Sequence, residues 1–283
     1  MLQAVRISVN GVSSAVHDTG PREGSEAVVF VHGTPGPMDD WEELAPAVGS
    51  FARVVALDMP GFGRAGRPRE FDFTLAGYAR HLGGVLDQLG VRRAHLVLHD
   101  MGGPWGLRWA ADHPGALGSL TLINTGVLID YEWHTFALIW QTPVLGEVLQ
   151  VIAVPWLIRF VMNHDNPRPL PRSFTHRVTG YADWRQKMSV NRLYRSLRET
   201  NATFLPLASA MSEIDPPTCI IWGAADKYLP LTVARKQTEV FPRAELHVLP
   251  GLGHWPFIDD PAAVRSLLLG FLRRQLGGTQ APR

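Results

Sequence analysis

The chain has 283 residues, 46% of them hydrophobic and 19% charged, enough for one large α/β domain with an insertion and a sizeable buried core. A formal net charge of +1 gives no electrostatic reason to expect nucleic acid or an acidic membrane as partner. The single cysteine, Cys219, lies in an apolar run, which excludes an internal disulfide and a cysteine-built zinc site and points to a cytoplasmic protein.

The first residues alternate like a strand and lack the continuous apolar core of a signal segment. Residues 2 to about 17 read as two strands joined at Asn10-Gly11, an N-G hairpin turn. Ala27 to Val31 is a continuous apolar run, suited to a central parallel strand, and ends in the loop His32-Gly33-Thr34-Pro35-Gly36. Met38 to Val48 has amphipathic spacing. Arg53 to Leu57 is the next strand, ending in Asp58-Met59-Pro60-Gly61-Phe62-Gly63. Thr74 to Leu89 predicts a helix closed by Gly90.

Leu96 to Leu98 then forms a short buried strand, followed by His99-Asp100-Met101-Gly102-Gly103 and a helical pattern. A further strand covers Leu120 to Ile123. From 127 to about 211 the rhythm breaks into aromatic, helical segments. The longest greasy stretch there, Val148 to Met162, contains Pro155 and Arg159 and is shorter than the ~20 apolar residues of a membrane helix. Strands resume at Thr218 to Trp222 and Glu245 to Leu249. Asp260 to Leu276 is a last amphipathic helix, and the residues after it read as a loose tail. Alternating strands and helices predict a mostly parallel sheet with helices on both faces. The expected division is a core at 1–126 and 212–283 and a helical cap at 127–211, over the strand ends where ligands bind.

Asp100 sits where a strand turns straight into a helix, so its side chain stands at the sheet edge with the following amides pointing outward. An aspartate there also fits a helix cap. As a nucleophile it differs from serine: it is ionised at neutral pH, and on a saturated carbon it forms an alkyl ester that water must cleave. That chemistry requires a histidine to activate water, an acid to orient it and amides for the oxyanion. Asp226 follows the strand after the insertion, and His254 follows the last strand, so all three residues fall at one sheet edge. The amides of Met101 and Thr34 are the oxyanion candidates; Pro35 holds Thr34 extended. Gly61-Phe62-Gly63-Arg64-Ala65-Gly66 matches G-x-G-x-x-G, but Pro68 follows at once, so no dinucleotide site is expected. No metal-ligand spacing and no cofactor motif stands out.

HGTPG, DMPGFG, LHDMGG, WGAADKYLP and GLGHWPF together resemble the α/β-hydrolase superfamily over nearly the whole chain, in the order nucleophile, acid, histidine. The aspartate apex resembles the branch of epoxide hydrolases and haloalkane dehalogenases. The resemblance implies an α/β-hydrolase fold with a helical cap, Asp100 as nucleophile and a small hydrophobic substrate plus water as partners. Epoxide hydrolases use two cap tyrosines. Tyr194 resembles the second; where the first should stand are Phe136 and Trp140, with Tyr131 a displaced substitute. Dehalogenases hold the halide with a Trp after the nucleophile, where Met101 stands here; Trp133 or Trp140 is then a halide donor. His32, Pro35, His99 and Trp255, beside the motifs, complete the expected pocket lining. Donor inventory favours epoxide hydrolysis, because an alkoxide needs a proton donor and Tyr194 is one. The alternatives are dehalogenation by the same triad and a binding protein without catalysis. A monomer or a homodimer fits equally.

Overall fold

The computed structural model describes residues 1–21 and 24–277. The tail expected after the last helix lies, from 278 onward, outside the described residues. Eight strands form one sheet: β1 (Val5–Val9), β2 (Val12–Thr19), β3 (Glu26–Val31), β4 (Val54–Leu57), β5 (Arg93–His99), β6 (Leu117–Ile123), β7 (Thr218–Gly223) and β8 (Glu245–Leu249). Their order is β1-β2-β4-β3-β5-β6-β7-β8. β2 pairs antiparallel with β1 and with β4, and every other pair is parallel. The N-G turn is there: Val9 pairs with Val12, and Asn10 and Gly11 have φ of 49° and 79°, the positive values of a two-residue hairpin turn.

The central strands are apolar on both faces because helices cover both. Ala27 to Val31 of β3 and all of β6 are buried. One face packs against α2 (Leu75–Gln88) and α3 (Gly102–Asp112); the other packs against α1 (Ala45–Gly49) and the C-terminal helix. Thr74 caps α2 by accepting from the Gly77 amide. The amphipathic stretch from Met38 to Val48 is not one helix. A 3₁₀ turn at Met38–Trp41 precedes α1, because tertiary bonds take its first backbone and acidic groups: the Met38 amide donates to Asp58, and Asp39 accepts from the Leu2 amide and from Arg64.

Between β6 and β7 lie α4 (Thr135–Gln141), α5 (Leu145–Ile152), α6 (Pro155–Asp165), α7 (Arg172–Gly180), α8 (Trp184–Ser196) and α9 (Thr200–Ile214). After β7 come α10 (Leu231–Val240), α11 (Pro256–Asp259) and α12 (Pro261–Gly277). The architecture is a mostly parallel sheet with a helical insertion between β6 and β7. The G-x-G-x-x-G stretch opens no helix. It wraps the buried Asp58, whose carboxylate accepts from the Arg64 amide and side chain.

Candidate active site

Asp100 ends β5 in a sharp turn. Its φ is +49°, a left-handed conformation that aspartate tolerates better than most residues, at a cost of about 1–3 kcal/mol. The turn is tight enough that a Cβ on Gly102 would strike the Val31 and His32 carbonyls, which explains the glycine there. Met101 is the N-cap of α3, so its amide is among the first N–H groups of a helix, which have no intrahelical partner. The Thr34 amide donates to Asp100 Oδ1 at 2.6 Å and the Thr34 hydroxyl to the same oxygen at 3.2 Å. The Thr34–Pro35 bond is cis.

Asp100 Oδ2 lies 3.5 Å from His254 Nε2. On the other side of the imidazole, His254 Nδ1 lies 2.7 Å from Asp226 Oδ2. Asp226 is saturated with donors: Asn124 Nδ2 at 2.7 Å, and the amides of Tyr228 at 2.8 Å and Leu229 at 3.0 Å. Asn124 itself is fixed by accepting from the Gly223 amide at 2.8 Å. Burial alone would lower the His254 pKa, but the carboxylates of Asp226 and Asp100 outweigh it and raise it to about 10. Burial likewise opposes the charge on Asp100, and His254 and the Thr34 amide overcome it, holding Asp100 below the usual carboxylate range. The resting pair is therefore a carboxylate facing an imidazolium. Oδ1 is held by the Thr34 amide and hydroxyl, and Oδ2 faces the imidazolium.

The pair forms the floor of a cavity of about 320 Å³ whose other walls come from α4 to α8. Pro35, Phe136, Trp140, Tyr194 and Trp255 line it. Burial and the Asp100 charge raise the Tyr194 pKa, so the phenol keeps its proton. Four expected lining residues do not face this cavity. His32 is buried behind the loop, where Nε2 accepts from the Met59 amide at 2.9 Å and Nδ1 donates to the Gly33 carbonyl at 2.7 Å. His99 is buried too, donating from Nε2 to the His254 carbonyl at 2.8 Å, and burial with the nearby His254 lowers its pKa to about 3. Both are neutral props of the backbone. Tyr131 and Trp133 line only a small adjoining pocket of about 20 Å³. Their donors are occupied: the Tyr131 hydroxyl by the Tyr228 carbonyl at 2.6 Å, the Trp133 indole by the Thr200 hydroxyl at 2.8 Å.

Sequence reasoning missed His134 and Tyr228, which line both the cavity and the small pocket. His134 caps α4, Nδ1 accepting from the Ala137 amide at 3.3 Å, and burial lowers its pKa to about 4. A neutral ring that accepts at Nδ1 carries its proton on Nε2, so His134 is a second donor beside Tyr194, their rings 6.3 Å apart. A histidine directly ahead of a cap helix was the available signal. Tyr228 stacks edge-on against His254, 5.2 Å away, and donates to Asp165 at the end of α6. Among the described residues no group of three or more His, Cys, Asp or Glu is arranged to hold a metal ion.

Residues 26–261 match the family model of the alpha/beta hydrolase fold. The chain is similar to a 2-hydroxy-6-oxononadienedioate/2-hydroxy-6-oxononatrienedioate hydrolase of Burkholderia vietnamiensis, 27% identical over 95% of both chains. It is 29% identical to a hydrolase of the same name from Comamonas testosteroni, again over 95% of both. Among solved structures it is similar in fold to the haloalkane dehalogenase DbeA of Bradyrhizobium elkani, with a TM-score of 0.84 and 18% identity over 97% of this chain and 99% of that one. A meta-cleavage product hydrolase, CumD, superimposes with a TM-score of 0.74 and 24% identity, over 96% and 98% of the two chains.

Proposed function

The chain belongs to the α/β-hydrolase fold family, and on that premise we propose that it opens small hydrophobic epoxides to diols through an alkyl ester on Asp100, beneath a helical cap at 127–211. One observation carries the reading. An ionised Asp100, paired with an imidazolium at 3.5 Å, faces an apolar cavity that also holds two neutral donors, Tyr194 and His134.

The steps balance. Asp100 Oδ2 attacks an epoxide carbon and the C–O bond breaks, leaving an ester and an alkoxide. The alkoxide takes the Tyr194 proton, with His134 donating a hydrogen bond, and Tyr194 regains its proton from the His254 imidazolium. Loss of the Asp100 charge removes one cause of the raised His254 pKa and so assists that transfer. His254, now neutral, takes a proton from water, and the hydroxide adds to the ester carbonyl. The oxyanion on Oδ1 rests on the Thr34 and Met101 amides, a contribution of typically ~3–4 kcal/mol per donor. Collapse expels the diol oxygen, which takes the carboxyl proton and restores the resting ion pair.

The relatives' names specify an oxo dioate, an unsaturated substrate with two carboxylates. Two features argue against that substrate here. Lys187 is the single lysine or arginine in the cavity lining, and a carboxylate nucleophile on a carbonyl gives an anhydride rather than an ester. Dehalogenation is the second reading. Trp140 lines the cavity with its ring 4.9 Å from Tyr194 and 6.0 Å from His134, and three such donors suit a leaving halide. A halide leaves without a proton, however, and His254 would have to lose its own to solvent before acting as base. Two assays on the purified enzyme test this. Styrene oxide should be turned over and a terminal bromoalkane should release little bromide. A single turnover in heavy-oxygen water should give a first diol free of heavy oxygen, one hydroxyl from the epoxide itself and the other from Asp100. Bromide release without epoxide turnover would favour the second reading, and heavy oxygen in the first diol would overturn the ester.

A further inference from the structure

The cavity has a charged end as well as a reactive one. Lys187, Val190 and Tyr194 all line it, and they stand at i, i+3 and i+7 on one face of α8. At 1.5 Å rise per residue, Lys187 and Tyr194 are separated by about 10 Å along the helix axis. Between them the wall is apolar, with Val190, Leu149, Ala153 and Leu157. An ammonium has three donors. Lys187 gives one to the Gln150 carbonyl and one to the Ala153 carbonyl, each at 2.8 Å, at the C-terminus of α5. That leaves a third N–H for the cavity it lines. Among the described residues no carboxylate lies within salt-bridge distance of Lys187. Its polar neighbours in the lining, Gln150, Thr179 and Gln186, are all neutral. Lys187 is half-buried, so a group bound there keeps part of its hydration.

Resting on the epoxide-hydrolase reading, we infer that the substrate is an amphiphile, a medium-chain carboxylic acid with its epoxide at the far end, whose carboxylate pairs with Lys187 while the oxirane reaches Asp100 and Tyr194. A length of about 10 Å between the two ends sets the chain length. The apolar wall binds the methylenes, and with the His254 imidazolium already paired to Asp100 and Asp226, Lys187 has room for one carboxylate and not a second.

The test uses the full chain and two probes of equal length, the terminal epoxide of decanoic acid and that of decene. The wild type should prefer the acid by about tenfold in kcat/KM, the worth of one charged hydrogen bond. Lys187→Gln should abolish the preference and Lys187→Arg should retain most of it, with melting temperatures confirming that both variants fold. Equal use of the two probes by the wild type, or a preference that survives in Lys187→Gln, would overturn the inference and leave the ester chemistry standing. Calorimetric binding of decanoate separates the two claims. Decanoate binding that is lost in Lys187→Gln while neither epoxide is opened keeps the carboxylate site at Lys187 and overturns the epoxide at the far end, so that the epoxide reading is the one that fails. Binding that is absent or indifferent to Lys187 overturns the inference.

Discussion

Asp100 is both the strained corner of the turn and one of two carboxylates that charge His254. Asp100→Asn keeps the shape and removes the charge, so it should fold normally and lose activity by about three orders of magnitude or more. It should also lower the His254 pKa, which imidazole NMR titration reads directly; an unchanged pKa would mean the pair does not interact. The same pair sets a pH dependence of stability. The folded His254 pKa, about 10, lies above the ordinary 6.5. Its stabilisation is therefore complete below about pH 6.5 and fades as pH rises toward about 10. The melting temperature should fall over that range, and fall less in Asp100→Asn. Asp100, Asp226 and His254 were legible in the sequence because each lies in the turn or loop that follows a strand, and strand ends share one edge. His32 and His99 were not, since nothing in the neighbours of a histidine at a strand's end tells which way its ring is turned. His134 escaped because its role depends on which nitrogen the α4 amides occupy.

At the level of elements, β5, the turn and α3 act as one rigid piece. Gly102→Ala would push a Cβ into two carbonyls of the β3 loop and should destabilise by about 1–3 kcal/mol while impairing turnover. The helical insertion is pinned separately. Arg177 of α7 reaches Glu42, just after the 3₁₀ turn, and lies 3.5 Å from Asp40 within it. Burial raises the Asp40 pKa to about 8 despite Arg177, so Asp40 is mostly protonated at neutral pH. Arg177→Met should therefore cost only about 1–3 kcal/mol, less than breaking a fully ionised buried pair, and should raise KM more than it lowers kcat by loosening that wall. An unchanged melting temperature would show that the insertion is held elsewhere. The central strands were readable as apolar runs. The split at Met38–Trp41 was not, because its acidic side chains are claimed by Leu2 and Arg64, far away in the chain.

Across the whole molecule, a net charge of +1 and an apolar cavity leave little long-range field to steer an uncharged substrate. Turnover of a neutral epoxide should change less than about twofold between low and high salt; a steep decline would point to charge steering. The α/β-hydrolase fold was legible from alternation and motif order, while the cavity's donors emerge only when α4 and α8 are folded over Asp100. The most direct measurement replaces the base that cleaves the ester. His254→Gln, mixed with styrene oxide and digested for mass spectrometry, should accumulate an adduct of the substrate's mass on the peptide carrying Asp100. A protein that turns the epoxide over without ever holding such an adduct, or that carries it on another residue, contradicts the account.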